Sequence, residues 1–313
     1  MGQELAQRVI AGDVRALARS ITLVENDGAS AETLLRELYP RAGRAVTIGV
    51  TGFPGAGKSS LVDRLIESYR AAGKTVGVIA VDPSSAFSGG AILGDRVRMM
   101  RHSGDPGVFI RSMATRGQLG GLSRATSDAL DMIDAAGRDV ILIETVGVGQ
   151  DEIDVARLAD VVLVVLVPGM GDDIQAIKAG ILEIADIFVV NKADRDGADK
   201  LSAELQAMMG LVDDARPRPP IVRTIATRGE GLDTLVAAVA EHLDHPDTAG
   251  RRAARRWERS RMRLEEILAK TLVRGAIERG VGREGWERII GSLARREIDP
   301  YGAVESILAA LPR

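Results

Sequence analysis

No cysteine occurs among the 313 residues of this chain. Disulfides, thiolate zinc sites, iron–sulfur clusters and cysteine nucleophiles are therefore excluded, and a reducing compartment suits the composition. Histidine is almost as scarce: His102, His242 and His245 are the only three, too scattered to suggest a metal site. Net charge is small as well, 41 Lys and Arg against 44 Asp and Glu, so nothing calls for a polyanionic partner such as nucleic acid. Long apolar runs are also missing. A bilayer-crossing helix needs about 18 or more apolar residues, whereas the most apolar stretch, Val161 to Val167, suits a buried parallel strand. Met1 to Arg8 mixes charge and polarity where a secretory signal needs an apolar run. The expectation is a cytoplasmic protein with neither membrane nor nucleic-acid partners.

The length accommodates an α/β core of about 200 residues with attachments. From Leu5 to Leu38 apolar residues recur at helical spacing, broken by Gly12-Asp13 and Asn26-Asp27-Gly28. Residues 1–43 therefore read as a helical N-terminal extension, closed by the breaker Tyr39-Pro40-Arg41-Ala42-Gly43. Over residues 44–244, short β-branched runs alternate with helical segments, the signature of a mostly parallel, doubly wound sheet. The expected strands are Val46–Val50, Thr75–Val81, Val108–Arg111, Val140–Glu144, Val161–Val167, Ile187–Val190 and Ile221–Ile225. Helices are expected to start near Lys58, Gly121, Glu152, Asp172, Ala198 and Gly231. Residues 245–313 are purely helical in pattern, through Trp257, Leu264, Ile267 and Leu268, then Trp286, Ile289, Ile290 and Leu293, then Tyr301 to Leu311. The basic run Arg251 to Arg256 lacks interleaved aromatics and reads as a solvated helix face.

Gly52-Phe53-Pro54-Gly55-Ala56-Gly57-Lys58-Ser59, followed by Ser60, comes after a clean strand and opens a helix. In that context the glycines let backbone N–H groups wrap a phosphate while the helix N-terminus adds partial positive charge. Lys58 is expected to bridge the β- and γ-phosphates, and the Ser59 hydroxyl to ligate Mg²⁺. A second motif, Asn191-Lys192-Ala193-Asp194, closes another strand. Guanine presents N1–H and its 2-amino group as adjacent donors, which one carboxylate, Asp194, can accept. Adenine would leave that carboxylate unpaired. Lys192 would pack its stem along the base, Asn191 would tie this loop to the phosphate loop, and Ile225-Ala226-Thr227 is the candidate backbone contact to the guanine carbonyl. GTP or GDP with Mg²⁺ is thus the expected ligand.

Glu144-Thr145-Val146-Gly147 follows an apolar strand, placing Glu144 to order Mg²⁺ or its waters and Gly147 N–H to report on the γ-phosphate. Asp82 and Asp95 are further candidate metal ligands, and Gln150 a candidate for orienting the hydrolytic water. Lys58, Asp95, Glu144 and Gln150 form the candidate catalytic set.

Together, Gly52 to Ser60, Val81-Asp-Pro-Ser-Ser85, Gly89 to Arg96, Glu144 to Gln150 and Asn191 to Asp194 resemble the MeaB/ArgK/MMAA family of methylmalonyl-CoA mutase-associated GTPases, over nearly the whole chain. The resemblance implies a P-loop GTPase that serves as chaperone to an adenosylcobalamin (B12)-dependent acyl-CoA mutase, gating cofactor loading, protection and reactivation. It also implies a homodimer formed through the C-terminal helices, Mg²⁺-shell carboxylates at Asp82, Asp95 and Glu144, and a coupling segment from Pro168 to Asp173 reaching Lys178. One departure is Thr224-Ile225-Ala226-Thr227, where many GTPases carry a Ser-Ala pair. Two alternatives differ in class: a metallochaperone GTPase, for which the chain has poor ligands, and a P-loop kinase of the arginine/ornithine transport label, which has little use for Asp194.

Overall fold

In the computed structural model the described residues are 2–26, 29–82, 99–102, 104–114, 124–145, 151–169, 183–211 and 218–311. Three amphipathic helices come first: α1 (Gly2–Ile10), α2 (Val14–Glu25) and α3 (Ala29–Leu38). Asp13 starts α2 by accepting the N–H groups of Arg15 and Ala16, as an N-cap carboxylate does. The chain then alternates β1 (Val46–Gly52), α4 (Lys58–Ala71), β2 (Val76–Asp82), β3 (Val108–Ala114), α5 (Arg124–Ala135), β4 (Val140–Glu144), α6 (Asp151–Leu158), β5 (Val161–Leu166), β6 (Ile187–Asn191), α7 (Ala198–Leu211), β7 (Ile221–Thr224) and α8 (Leu232–Asp244). Helices α9 (Pro246–Ala276), α10 (Gly282–Ala294) and α11 (Pro300–Ala309) follow. The expected helix starts at Gly121 and Asp172 lie outside the described residues, as do Pro83 to Arg98, Met170 to Asp173 and Lys178.

The strands form one sheet in the order β3-β2-β4-β1-β5-β6-β7, every neighbouring pair parallel. Alternation along each strand divides the core between two faces. Ile48, Val50, Leu142, Leu163 and Val189 pack with Leu61 and Leu65 of α4 and Leu235 and Val239 of α8. Ile79, Ile141 and Ile143 point the other way, toward Ile133 of α5, Val155 of α6 and the N-terminal helices, while Val164 and Phe188 meet Leu201 and Leu205 of α7. This is the doubly wound α/β architecture, and its strand ends Gly52, Asp82, Glu144, Asn191 and Thr224 share one edge, where such sheets bind ligands.

Contacts divide the chain into two units, Met1–Arg255 and Arg256–Arg313, so the N-terminal helices belong with the sheet. In the first unit the reading of the basic run as a solvated face is corrected. Arg252 Nε donates to Asp160 Oδ1 at 3.3 Å, and Arg255 forks onto Asp186 at 2.7 and 3.0 Å. Both acids are buried and also accept strand N–H groups, Thr47 to Asp160 and Val162 to Asp186. Buried carboxylates need such partners, and one helix face presents both arginines to them. His242 lies 3.5 Å from Asp186, and burial pushes its imidazole below the usual histidine value despite that carboxylate. The second unit comprises the helices from Arg256 onward, with a π-helical turn at Ile277–Val281. No helix among the described residues is long and apolar enough to cross a membrane.

Candidate functional site

The loop between β1 and α4 is shaped by glycines that cannot carry a side chain. Gly52 has φ +134°, and a Cβ there would meet Val165 O at 2.1 Å. Gly57 caps α4 at φ +88°, where a Cβ would fall 2.5 Å from Asn191 Nδ2. The second collision is informative, because it shows how closely the phosphate loop and the base loop are packed.

Lys58, the first residue of α4, is buried. Its Nζ donates to Gly52 O at 2.7 Å and Phe53 O at 2.9 Å, which holds the ammonium inside the loop. Ser59 Oγ donates to Glu144 Oε1 at 2.6 Å, bringing the hydroxyl from α4 and the carboxylate from β4 together although they are 85 residues apart. Beside them Thr145 Oγ1 donates to Thr51 Oγ1 at 3.1 Å. A hydroxyl and a carboxylate are hard oxygen donors, the kind Mg²⁺ prefers, and Mg²⁺ usually takes only one or two protein ligands with phosphate and water supplying the rest. The donor set therefore fits the ion. No group of three or more His, Asp or Glu that could hold a metal by themselves occurs among the described residues. Pro54 and Gly55 form the turn, Ala56 is buried and Ser60 lies half-buried on α4. Asp82 closes β2, but its side chain lies outside the described residues, as do Asp95, Gly147 and Gln150.

Asn191 ends β6 in register with Thr224 of β7. Its buried amide makes three hydrogen bonds: Nδ2 donates to Ala56 O at 2.9 Å, while Oδ1 accepts Thr224 Oγ1 at 3.2 Å and Ala226 N–H at 3.1 Å. One side chain thus joins the phosphate loop, β6 and the turn after β7. Lys192 follows at φ +56°, unusual for a residue other than glycine, and its Nζ donates to Gly55 O at 2.8 Å. Asp194 is partly exposed, with Arg228 Nη2 3.3 Å from its Oδ2. Ile225 bridges Glu230, closing the turn that holds Ala226 and Thr227.

Two residues of this neighbourhood carry no motif. Arg228 lies within the turn itself, so the sequence Thr227-Arg228-Gly229 was the available signal. Arg64 reaches the same turn from α4 by donating to Ala226 O and Thr227 O. Its partners are backbone carbonyls more than 160 positions away, which no spacing rule finds.

Known proteins match this chain over most of its length. The sequence model described as "Methylmalonyl Co-A mutase-associated GTPase MeaB" matches residues 17–280. A provisionally named GTPase of Pyrococcus abyssi is 50% identical over 312 residues, covering 98% of this chain and 96% of the relative. GTPase ArgK of Escherichia coli is 36% identical, covering 79% of this chain and 78% of its own length. Among solved structures, a LAO/AO transport system kinase superposes with a TM-score of 0.69 at 25% identity, covering 98% of this chain and 96% of that one. With the family model spanning most of its length, the chain belongs to the methylmalonyl Co-A mutase-associated GTPase MeaB family.

Proposed function

We propose that this protein binds and hydrolyses GTP, and that the cycle drives a cytoplasmic chaperone of a B12-dependent acyl-CoA mutase. The observation that carries the nucleotide half is the double use of Asn191, which ties Ala56 of the phosphate loop to Ala226 of the base loop. Phosphate and base are thereby read by one connected site. Lys58 exchanges the carbonyls of Gly52 and Phe53 for β- and γ-phosphate oxygens, and the N-terminus of α4 adds its dipole. Asp194 accepts N1–H and the 2-amino group of guanine. Ser59 and Glu144, with Asp82 and Asp95, hold Mg²⁺, which when bound neutralises charge on the phosphates. Gly147 senses the γ-phosphate and Gln150 orients water.

The mutase half is supported by the name of the matching family and by the mouse relative, named methylmalonic aciduria type A homolog, which is 34% identical over 284 residues. The test is steady-state GTP hydrolysis with and without the mutases of the same cell. We expect slow intrinsic turnover and acceleration of about tenfold or more by one of them, as partner-activated GTPases behave. If none binds the protein or alters its rate, the chaperone role fails and the nucleotide site stands. Transfer of phosphate to arginine or ornithine faster than to water overturns the GTPase reading in favour of a kinase.

The protein works as a homodimer joined through its C-terminal helices. Trp257, Leu264, Leu268 and Leu272 recur along α9 and are 52–67% exposed, and Tyr301, Val304 and Leu308 of α11 are exposed as well. Soluble monomers rarely leave so many large apolar side chains in water. Sedimentation equilibrium should give twice the chain mass for the wild type and the single mass for Leu264→Glu/Leu268→Glu. A wild-type monomer at micromolar concentration sinks the dimer.

A further inference from the structure

The turn after β7 carries three consecutive backbone N–H groups, at Ala226, Thr227 and Arg228, and the fold uses two of them. Ala226 N–H donates to Asn191 Oδ1 at 3.1 Å, and Arg228 N–H to Ile225 O at 2.9 Å. Thr227 N–H has no acceptor among the described residues. Its peptide plane has the Ala226 carbonyl at the other end. In a trans peptide the C=O and N–H point in opposite directions, and no cis bond occurs among the described residues. Whatever fixes Ala226 O therefore also aims Thr227 N–H.

Arg64 fixes it. From α4 its Nε donates to Ala226 O at 3.0 Å and its Nη2 to Thr227 O at 3.1 Å, so a single planar guanidinium grips two successive carbonyls. Nη1 is occupied by Glu67 at 2.8 Å, which holds the fork in place. Donation to the Ala226 carbonyl also polarises the peptide and makes Thr227 N–H a stronger donor. The remaining N–H sits in the loop that Asn191 binds to the phosphate loop, on the same side of the sheet as Asp194.

We infer that Arg64 is a positioning residue for guanine recognition, aiming Thr227 N–H at the 6-oxo group of the base by gripping the Ala226–Thr227 peptide. The inference rests on the guanine-site reading proposed above and deepens it. Asp194 reads the N1–H and 2-amino edge, Thr227 reads the carbonyl edge, and only the carbonyl edge depends on Arg64.

The two edges are separable with 6-thio-GDP, in which a larger, weaker acceptor replaces the 6-oxygen while N1–H and the 2-amino group remain. Dissociation constants for GDP and 6-thio-GDP are to be measured for the wild type, Arg64→Met, Arg64→Lys and Asp194→Ala. The wild type should prefer GDP. Arg64→Met should weaken GDP by about tenfold, the size of one well-placed hydrogen bond, and 6-thio-GDP by less than about twofold, collapsing the preference. Lysine, with one donor group in place of the fork, should give an intermediate preference.

A wild type that binds both ligands equally, or an Arg64→Met that weakens both equally or keeps the full preference, overturns the inference. Should Arg64→Met fail to fold by circular dichroism, Arg64→Lys decides: an intermediate preference supports the inference and a wild-type preference overturns it. Loss of GDP binding by Asp194→Ala with an unchanged preference in the Arg64 variants rejects Arg64 alone. A wild type that binds no GDP rejects the guanine site itself.

Discussion

Lys58→Ala is expected to reduce GTP hydrolysis by about 10²–10³-fold or more, the cost of removing one preorganised charge from a developing transition-state oxyanion. Lys58 is buried at the first turn of α4, where an ammonium is desolvated and each phosphate contact is worth more than in water. Its partners are the carbonyls of Gly52 and Phe53, so the loop itself supplies the pocket into which the charge is drawn. Arginine should not rescue the variant. The guanidinium is larger and planar, and two carbonyls spaced for a compact ammonium do not accommodate its fork. The fold should survive either change, because β1 and α4 are joined by Ile48, Val50, Leu61 and Leu65 rather than by the lysine. Single-turnover hydrolysis, with circular dichroism as control, makes the comparison, and a rate within tenfold of wild type would show that the loop does not carry the chemistry.

The strands that build this site were legible because parallel strands covered on both faces read as short β-branched runs. Their ends were less so. The sequence places the end of the third strand at Arg111, whereas β3 continues to Ala114, since Val81 pairs with Met113 and Asp82 with Ala114 across the sheet. That pairing is a property of the neighbour, and nothing near Arg111 announces it. Motifs with fixed spacing, Gly52 to Ser59 and Asn191 to Asp194, were visible for the same local reason. Arg64, Arg252 and Arg255 were not: each finds backbone oxygens or carboxylates contributed by distant elements, and an arginine on a helix looks alike whether it faces water or a buried aspartate. The apolar periodicity of α9 is real, yet it leaves Leu264 and Leu268 exposed in the single chain. Periodicity reports that a face is apolar without saying what covers it.

Asp194→Asn is expected to exchange the base preferred by the site from guanine to xanthine. A carboxylate offers two acceptors to guanine's adjacent N1–H and 2-amino donors. A carboxamide offers one acceptor and one donor, and the donor faces the 2-amino group. Losing a charge-assisted bond and gaining a donor–donor contact should weaken GDP by about 2–4 kcal/mol, roughly 30- to 1,000-fold. Xanthine keeps N1–H and replaces the amine with an oxygen, which matches the carboxamide and repels the wild-type carboxylate. The substitution also removes the pairing of Asp194 with Arg228, but at 37% and 60% exposure that contact contributes little to stability, so the thermal midpoint should move little. The phosphate loop is untouched: Asn191 still binds Ala56 and Lys58 still sits at Gly52. Asp194→Asn should therefore hydrolyse XTP at close to the rate at which the wild type hydrolyses GTP. Competition between GDP and XDP measures the preference, and a variant that still favours GDP would remove Asp194 from base selection. Normal XTP turnover together with the reversed preference would establish that the choice of base and the chemistry at phosphate are separate functions, joined structurally by Asn191 and Arg64.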